Sequence, residues 1–243
     1  MTLVLRNDAE GVATLTLNRP EKLNALNPPT FSALRAHLDG IAGDESVRCV
    51  VLTGAGRSFC AGNDLESIAK GERHETPLFA PETVDALERL PQPTIAKIRG
   101  HCFTGGLELA LACDLLIAGS TATLSDTHGK WGLAPIWGMS VRLTERVGPS
   151  RAKEMMFTAR RVDAAAALTI GLVDRAVDDA DLDATVDALA AEITANSAGT
   201  NRIVKRLVHD RLTSTHDEAL LHERTSPYGL PDDMAERMAR PRK

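Results

Sequence analysis

Apolar and polar positions in the first half of the chain change period several times, and each change marks an element. Residues 3–5 and 12–17 are short apolar-rich runs on either side of Asn7-Asp-Ala-Glu-Gly11, which predicts a hairpin. Asn27-Pro-Pro-Thr30 then opens a stretch where Phe31, Leu34, Leu38 and Ile41 recur on one helical face, with prolines where a first turn tolerates them. Residues 47–53 form a short β-branched run suited to a buried strand, ended by Gly54-Ala-Gly56. Residues 69–81 are polar and turn-rich, predicting a mobile surface loop. Helical spacing returns over 82–90 and is closed by Pro91 and Pro93, while 94–98 and 114–118 read as further strands. Strand, helix, strand, helix in that order predicts an α/β layer with crossover connections.

From Pro149 the strand pattern nearly vanishes. Residues 149–158, 163–170 (stopped by Gly171), 181–196 and 200–212 read as helices, with one short extended piece over 172–177. Residues 215–240 are helical in pattern and broken at Pro227 and Pro231. The apolar positions Ile203, Val204, Leu207 and Val208 need a partner, either the core or another subunit.

A chain of 243 residues can bury a large core, so one α/β domain with an appendage is expected. Aromatics at 3% leave no stacking platform for bases, and a net charge of -5 argues against a polyanion partner. A local basic pocket for one nucleotide-like group remains compatible with both. The start of the chain lacks the pattern of a signal peptide, and no apolar run reaches membrane-spanning length. Cys49, Cys60, Cys102 and Cys113 form no C-x-x-C pair and sit in apolar surroundings, which predicts buried free thiols. A cytoplasmic enzyme with neither membrane nor nucleic-acid partner fits these features.

The most informative stretch is Gly100-His-Cys-Phe-Thr-Gly-Gly-Leu-Glu-Leu-Ala-Leu-Ala-Cys-Asp114. It reads as a tight Gly-Gly turn feeding an apolar helix that carries one carboxylate, Glu108. Unpaired N–H groups at a helix start can hold a developing negative charge, and a nearby Glu in apolar company can move a proton. Together they are the equipment for enolate chemistry. The plainer reading of Glu108 is a first-turn acid that favours the helix dipole, which would lower its pKa where burial would raise it.

Beyond that stretch, Leu17-Asn-Arg-Pro-Glu-Lys-Leu-Asn-Ala-Leu26, Ser58-Phe-Cys-Ala-Gly-Asn-Asp-Leu65 and Thr104-Gly-Gly-Leu-Glu108 together resemble the enoyl-CoA hydratase/isomerase (crotonase) family. Trp131-Gly-Leu-Ala-Pro135, Val147-Gly-Pro-Ser-Arg-Ala-Lys153 and Ala167-Leu-Thr-Ile-Gly-Leu-Val173 extend the resemblance over nearly the whole chain. It implies a crotonase-like ββα spiral core over 1–190 and a C-terminal helical trimerisation region over 191–243. It further implies a homotrimer or dimer of trimers, and an acyl-CoA substrate with no separate cofactor and no metal. The oxyanion hole maps to the backbone N–H groups of Asn63 and Gly105. CoA contacts map to Lys22, Ala25, Leu26, Ala61, Asp64 and Leu65, although Asp64 also reads as a helix N-cap and Lys22 as a solvated loop charge.

Glu108 matches one of the two carboxylates that the family's hydratases use to orient and activate water. The second position, by ungapped count, is His128 in Ser125-Asp-Thr-His-Gly-Lys130. A histidine there can replace the carboxylate as acid or base, or simply line the acyl pocket. Trp131, Leu133 and Trp137 form an apolar wall facing either the acyl chain or the core, and Phe103 is a similar case.

Enoyl-CoA hydration is therefore the expected reaction, with double-bond isomerisation through one acid/base as the nearest alternative. A non-catalytic acyl-CoA-binding homologue is the rival from another class. A nicotinamide dehydrogenase is disfavoured because Gly54-Ala-Gly-Arg-Ser-Phe59 lacks the third small residue of the dinucleotide fingerprint. A zinc hydrolase is disfavoured because the seven histidines never take H-E-x-x-H spacing.

Overall fold

The computed structural model describes residues 2–74 and 76–239. Its strands are β1 (Val4–Ala9), β2 (Val12–Leu17), β3 (Cys49–Gly54), β4 (Thr94–Ile98), β5 (His101–Phe103), β6 (Leu115–Gly119), β7 (Thr123–Ser125), β8 (Val162–Asp163) and β9 (Arg175–Val177). The helices of the first two-thirds are α1 (Pro28–Ala42), α2 (Leu65–Ala69), α3 (Phe79–Glu88), α4 (Gly105–Leu111), α5 (His128–Trp131), α6 (Met139–Val147) and α7 (Pro149–Thr158). Then follow α8 (Ala164–Thr169), α9 (Leu182–Ala195), α10 (Ala198–Arg211), α11 (His216–Arg224) and α12 (Met234–Ala239).

Two sheets share the work. One runs β1-β2-β3-β4-β6-β9, parallel except for the β1–β2 hairpin, and the other runs β5-β7-β8. Each of β4 and β6 hands the chain directly to a short strand of the second sheet, β5 or β7, before a helix returns it. The turn before does the same in reduced form, with Cys60 bridged to Cys102. The repeating unit is strand, strand, helix, and its repetition gives the crotonase spiral expected from the resemblance.

Period-two alternation explains the double burial. Val50 and Leu52 of β3 enter the main core beneath α1, α3, α4 and α6, while Cys49 and Val51 face Leu182, Val186, Leu189 and Ala190 of α9. All four cysteines are free and buried, and burial pushes the Cys49, Cys60 and Cys113 thiols up to about 12.

Several boundaries differ from the sequence reading, each for a local reason. Pairing in the hairpin continues to Ala9 opposite Val12, so the turn is only Glu10-Gly11, both at positive φ. The helix expected over 82–90 begins at Phe79, since Pro81 falls within a first turn where no N–H is needed. Asp114 stays outside its strand because its carboxylate accepts from the Thr94 N–H and hydroxyl and pairs with Lys205 at 2.8 Å. The helical run expected over 215–240 resolves into α11 and α12, and its last residue, Arg240, lies outside the described residues. Among the described residues no helix is long and apolar enough to cross a membrane.

Candidate functional site

Chain direction reverses between β5 and α4 at a single residue. Thr104 takes φ 50° and ψ -113°, a backbone conformation rare for a β-branched side chain. It is held there by its N–H donating to Ser125 O (2.8 Å), and its hydroxyl accepts from the Thr127 N–H (3.1 Å). The tight turn expected at Gly105-Gly106 is thus one residue earlier, and both glycines are already helical. Their role is close approach: a Cβ on Gly106 would sit 2.4 Å from Cys60 O, and one on Gly105 would sit 2.3 Å from the Trp137 ring.

That packing brings two main-chain donors to one cavity. Leu26 N–H donates to Gly62 O and Asp64 N–H donates to Leu26 O, so the intervening Asn63 N–H faces the other way. Gly105 N–H opens α4. Among the described residues neither N–H has a hydrogen-bond acceptor, and both residues line the cavity. A Cβ on Gly62 would lie 3.4 Å from Gly105 N, so the two segments touch. Because the donor is the backbone, Asn63→Ala is expected to leave kcat close to wild type in steady-state assays. Loss of an oxyanion donor itself costs about 10²–10³-fold.

Glu108 is almost wholly buried, and its Oε1 accepts from the backbone N–H groups of Trp137 and Met139, both at 3.1 Å. With Oε1 so engaged, Oε2 is the oxygen left to exchange a proton. Burial pushes the Glu108 pKa up to about 7, against the lowering influence of His128 and of the two backbone donors. Burial thus acts as the sequence reading allowed, and the opposition comes from His128 and the two N–H donors.

His128 opens α5 across the cavity, its Nε2 3.9 Å from Glu108 Oε2. Its Nδ1 bonds Asp126 Oδ1 at 2.6 Å, and the same oxygen accepts the His128 backbone N–H at 3.1 Å. Burial would lower the His128 pKa, but the Asp126 and Glu108 carboxylates outweigh it and the net shift is upward.

The cavity holds about 430 Å³ and is walled by Phe31, Ile68, Leu133, Ile136 and Trp137 around Asn63, Gly105, Glu108 and His128. Leu133 and Trp137 of the expected apolar wall line it, whereas Trp131 is largely exposed and lies off the wall. The loop over 69–81 is not simply a solvent-facing surface, since Glu72, Arg73, His74 and Pro77 line the mouth.

The remaining residues assigned to CoA contact lie outside this wall. Lys22 is exposed and pairs with Glu66 at 3.0 Å; Leu26 is fully buried in the core. Asp64 caps α2 through the N–H groups of Glu66 and Ser67 and pairs with Arg19 at 2.9 Å. Ala25 gives its carbonyl to Arg19, Ala61 donates its N–H to Leu23 O, and Leu65 is exposed on α2. Phe103 packs edge-on to His101 under the Arg161 guanidinium, off the cavity wall.

Two supports were invisible in the sequence reading. One is the Trp137 and Met139 clamp on Glu108. The other is buried Arg142 of α6, which donates to Trp137 O (2.6 Å), Glu88 (2.9 and 2.7 Å) and Asp85 (2.7 Å) and so anchors the clamp from behind. Gly138, at φ 101° beside the Arg142 guanidinium, was the one available signal, a glycine just ahead of a helix.

The family model for enoyl-CoA hydratase/isomerase matches residues 7–238. An Arabidopsis thaliana protein named "Probable enoyl-CoA hydratase 1, peroxisomal" is 36% identical over 231 residues, covering 92% of this chain and 85% of that protein. The crystal structure of an enoyl-CoA hydratase from Bacillus anthracis superposes with a TM-score of 0.91 at 31% identity, over 97% of this chain and 94% of the other. That of a monofunctional enoyl CoA isomerase from M. smegmatis gives 0.79 at 37% identity, over 90% and 98%.

Proposed function

Because this chain belongs to the enoyl-CoA hydratase/isomerase family, we propose that it hydrates 2-enoyl-CoA thioesters through an enolate held by the Asn63 and Gly105 amides. It is an acyl-CoA-processing enzyme of the crotonase fold. One observation carries the finer reading: the free Oε2 of a clamped, buried Glu108 lies 3.9 Å from His128 Nε2, in a cavity shared with both unpaired amides.

Glu108 as carboxylate takes a proton from water while the water oxygen bonds to C3. The C2=C3 electrons move onto the thioester oxygen, where two preorganised N–H donors meet the developing charge. His128 as imidazolium then gives its proton to C2 and restores the carbonyl, leaving a 3-hydroxyacyl thioester. The Glu108 proton returns to His128 across the short gap between them. Protein groups and water complete the balance, so this reading requires no metal or redox cofactor.

Isomerisation is the second reading, favoured by the presence of a single clamped carboxylate and by the likeness to the M. smegmatis isomerase. There one group removes a C2 proton from a 3-enoyl thioester and returns it at C4. A turnover panel separates the two: crotonyl-CoA and a 3-enoyl-CoA on wild type and His128→Ala. Hydration predicts crotonyl-CoA turnover that falls about 10²-fold or more in H128A. Turnover of the 3-enoyl ester alone, unaffected in H128A, would overturn it in favour of the one-base reaction.

A homotrimer or dimer of trimers is part of the same proposal. It is supported by α10, α11 and α12, which bury no residue of their own within one chain and expose Val204, Val208, Leu221 and Met238. α9 packs on the sheet through Leu182, Val186, Leu189, Ala190 and Ile193, so the core we assign to 1–190 and the oligomerising region we assign to 191–243 meet within this helix. Four buried free thiols suit the reducing cytoplasm to which we assign the enzyme.

A further inference from the structure

Asp126 sits behind His128, away from the cavity, and is itself almost fully buried. A carboxylate only accepts, so at 2.6 Å the bond to Nδ1 must carry the proton on Nδ1, leaving Nε2 as the atom that gains or loses one. The second bond, from the His128 backbone N–H to the same Oδ1, closes a small ring that fixes the imidazole relative to its own main chain. The ring plane and the tautomer are then both set before substrate arrives.

We propose that Asp126 is a positioning residue for the reaction, acting through His128 by holding Nε2 toward Glu108 and the substrate and by supporting the charged ring. This rests on the reading of His128 as the proton donor to C2. The charged groups acting on the ring are Asp126 and, from α4, Glu108. α7, which packs along α5, presents the Met156 backbone to Gly129 rather than a charge. A purely structural role is the competing account, because the bond to the His128 N–H alone would cap the start of α5.

Asp126→Asn separates them, since the Asn oxygen can still accept the backbone N–H while the charge is gone. Imidazole ¹⁵N NMR should show His128 of the wild-type protein titrating above the ordinary value of about 6.5, and in D126N about one pH unit or more lower. The alkaline limb of kcat should move down with it, and kcat should drop about 10-fold or more. In an H128A background, D126N should cost nothing further in kcat. An equal loss in both backgrounds, or an unmoved His128 titration, overturns the proposal and leaves a structural cap. H128A at wild-type rate instead sinks the reading of His128 itself. If D126N does not fold, Asp126→Ser, which keeps a backbone acceptor without charge, takes its place in the same cycle.

Discussion

Glu108→Gln is expected to lose about 10²–10⁴-fold in turnover of an accepted enoyl-CoA while melting higher than the wild-type protein at pH 8. The Gln oxygen can take the place of Oε1 under the Trp137 and Met139 N–H groups, so the clamp is kept and only the proton carrier is lost. The stability gain follows from the sign of the shift. Folding raises the Glu108 pKa from 4.5 to about 7, so the folded state holds the proton more tightly than the unfolded one. Below about pH 4.5 both states are protonated and the group is neutral to stability. Between 4.5 and 7 the unfolded chain has released its proton and the folded one has not, so stability falls, and above 7 the buried carboxylate carries the full cost. At about 1.4 kcal/mol per unit the cost approaches roughly 3 kcal/mol, a net figure in which the attraction to His128 is already included.

Thermal melts of both proteins at pH 4 and pH 8 read this directly, with a difference of several degrees at pH 8 and almost none at pH 4. In wild type, kcat/KM should rise with pH through about 7 as Glu108 becomes the base. Full activity in E108Q, or the same melting difference at both pH values, would remove Glu108 from its assigned role.

What the sequence disclosed and what it withheld divide along physical lines. α1, α7 and α9 announced themselves because their apolar positions repeat over ten residues or more, long enough for a period to emerge. β5, β7 and β8 are two or three residues each and carry no measurable period, so the second sheet was silent. Asn63 came with the family resemblance alone, whereas Gly105 and Glu108 were legible because they share one helical turn. The Trp137 and Met139 N–H groups that fix Glu108 were not, because a backbone donor leaves no mark in the residue alphabet. Asp126 and His128 are two residues apart, but only coordinates place the carboxylate on Nδ1. Glu72, Arg73 and His74 were read as solvent loop for a sound reason: a cavity mouth is wetted and selects the same polar residues.

Gly105→Ala should cut kcat about 10²-fold or more, although the substitution replaces a poor helix former with the best one. At an exposed helical position that exchange would stabilise by roughly 1 kcal/mol. Gly105 is not at positive φ, so backbone strain plays no part and the outcome turns on space alone. The added methyl would meet Trp137 at 2.3, 3.0 and 3.3 Å from three ring atoms. The ring is nearly buried and packed edge-on to Phe31 with ring centroids 4.8 Å apart, and its open side is the cavity it lines, so a retreat there takes space from the substrate. Its displacement is passed to its own main chain, whose N–H holds Glu108 Oε1 and whose carbonyl is held by Arg142. With Glu108 as the proton carrier we propose, a shift of its carboxylate by about 1 Å costs about 10²-fold, and the overpacking adds about 1–3 kcal/mol of instability. Trp137→Phe in the same chain makes room, so the double variant should recover much of the lost kcat, a non-additivity expected of two groups in contact. A G105A enzyme as active as wild type and more stable, or one that W137F does not rescue, would mean that the ring is not what the glycine makes way for.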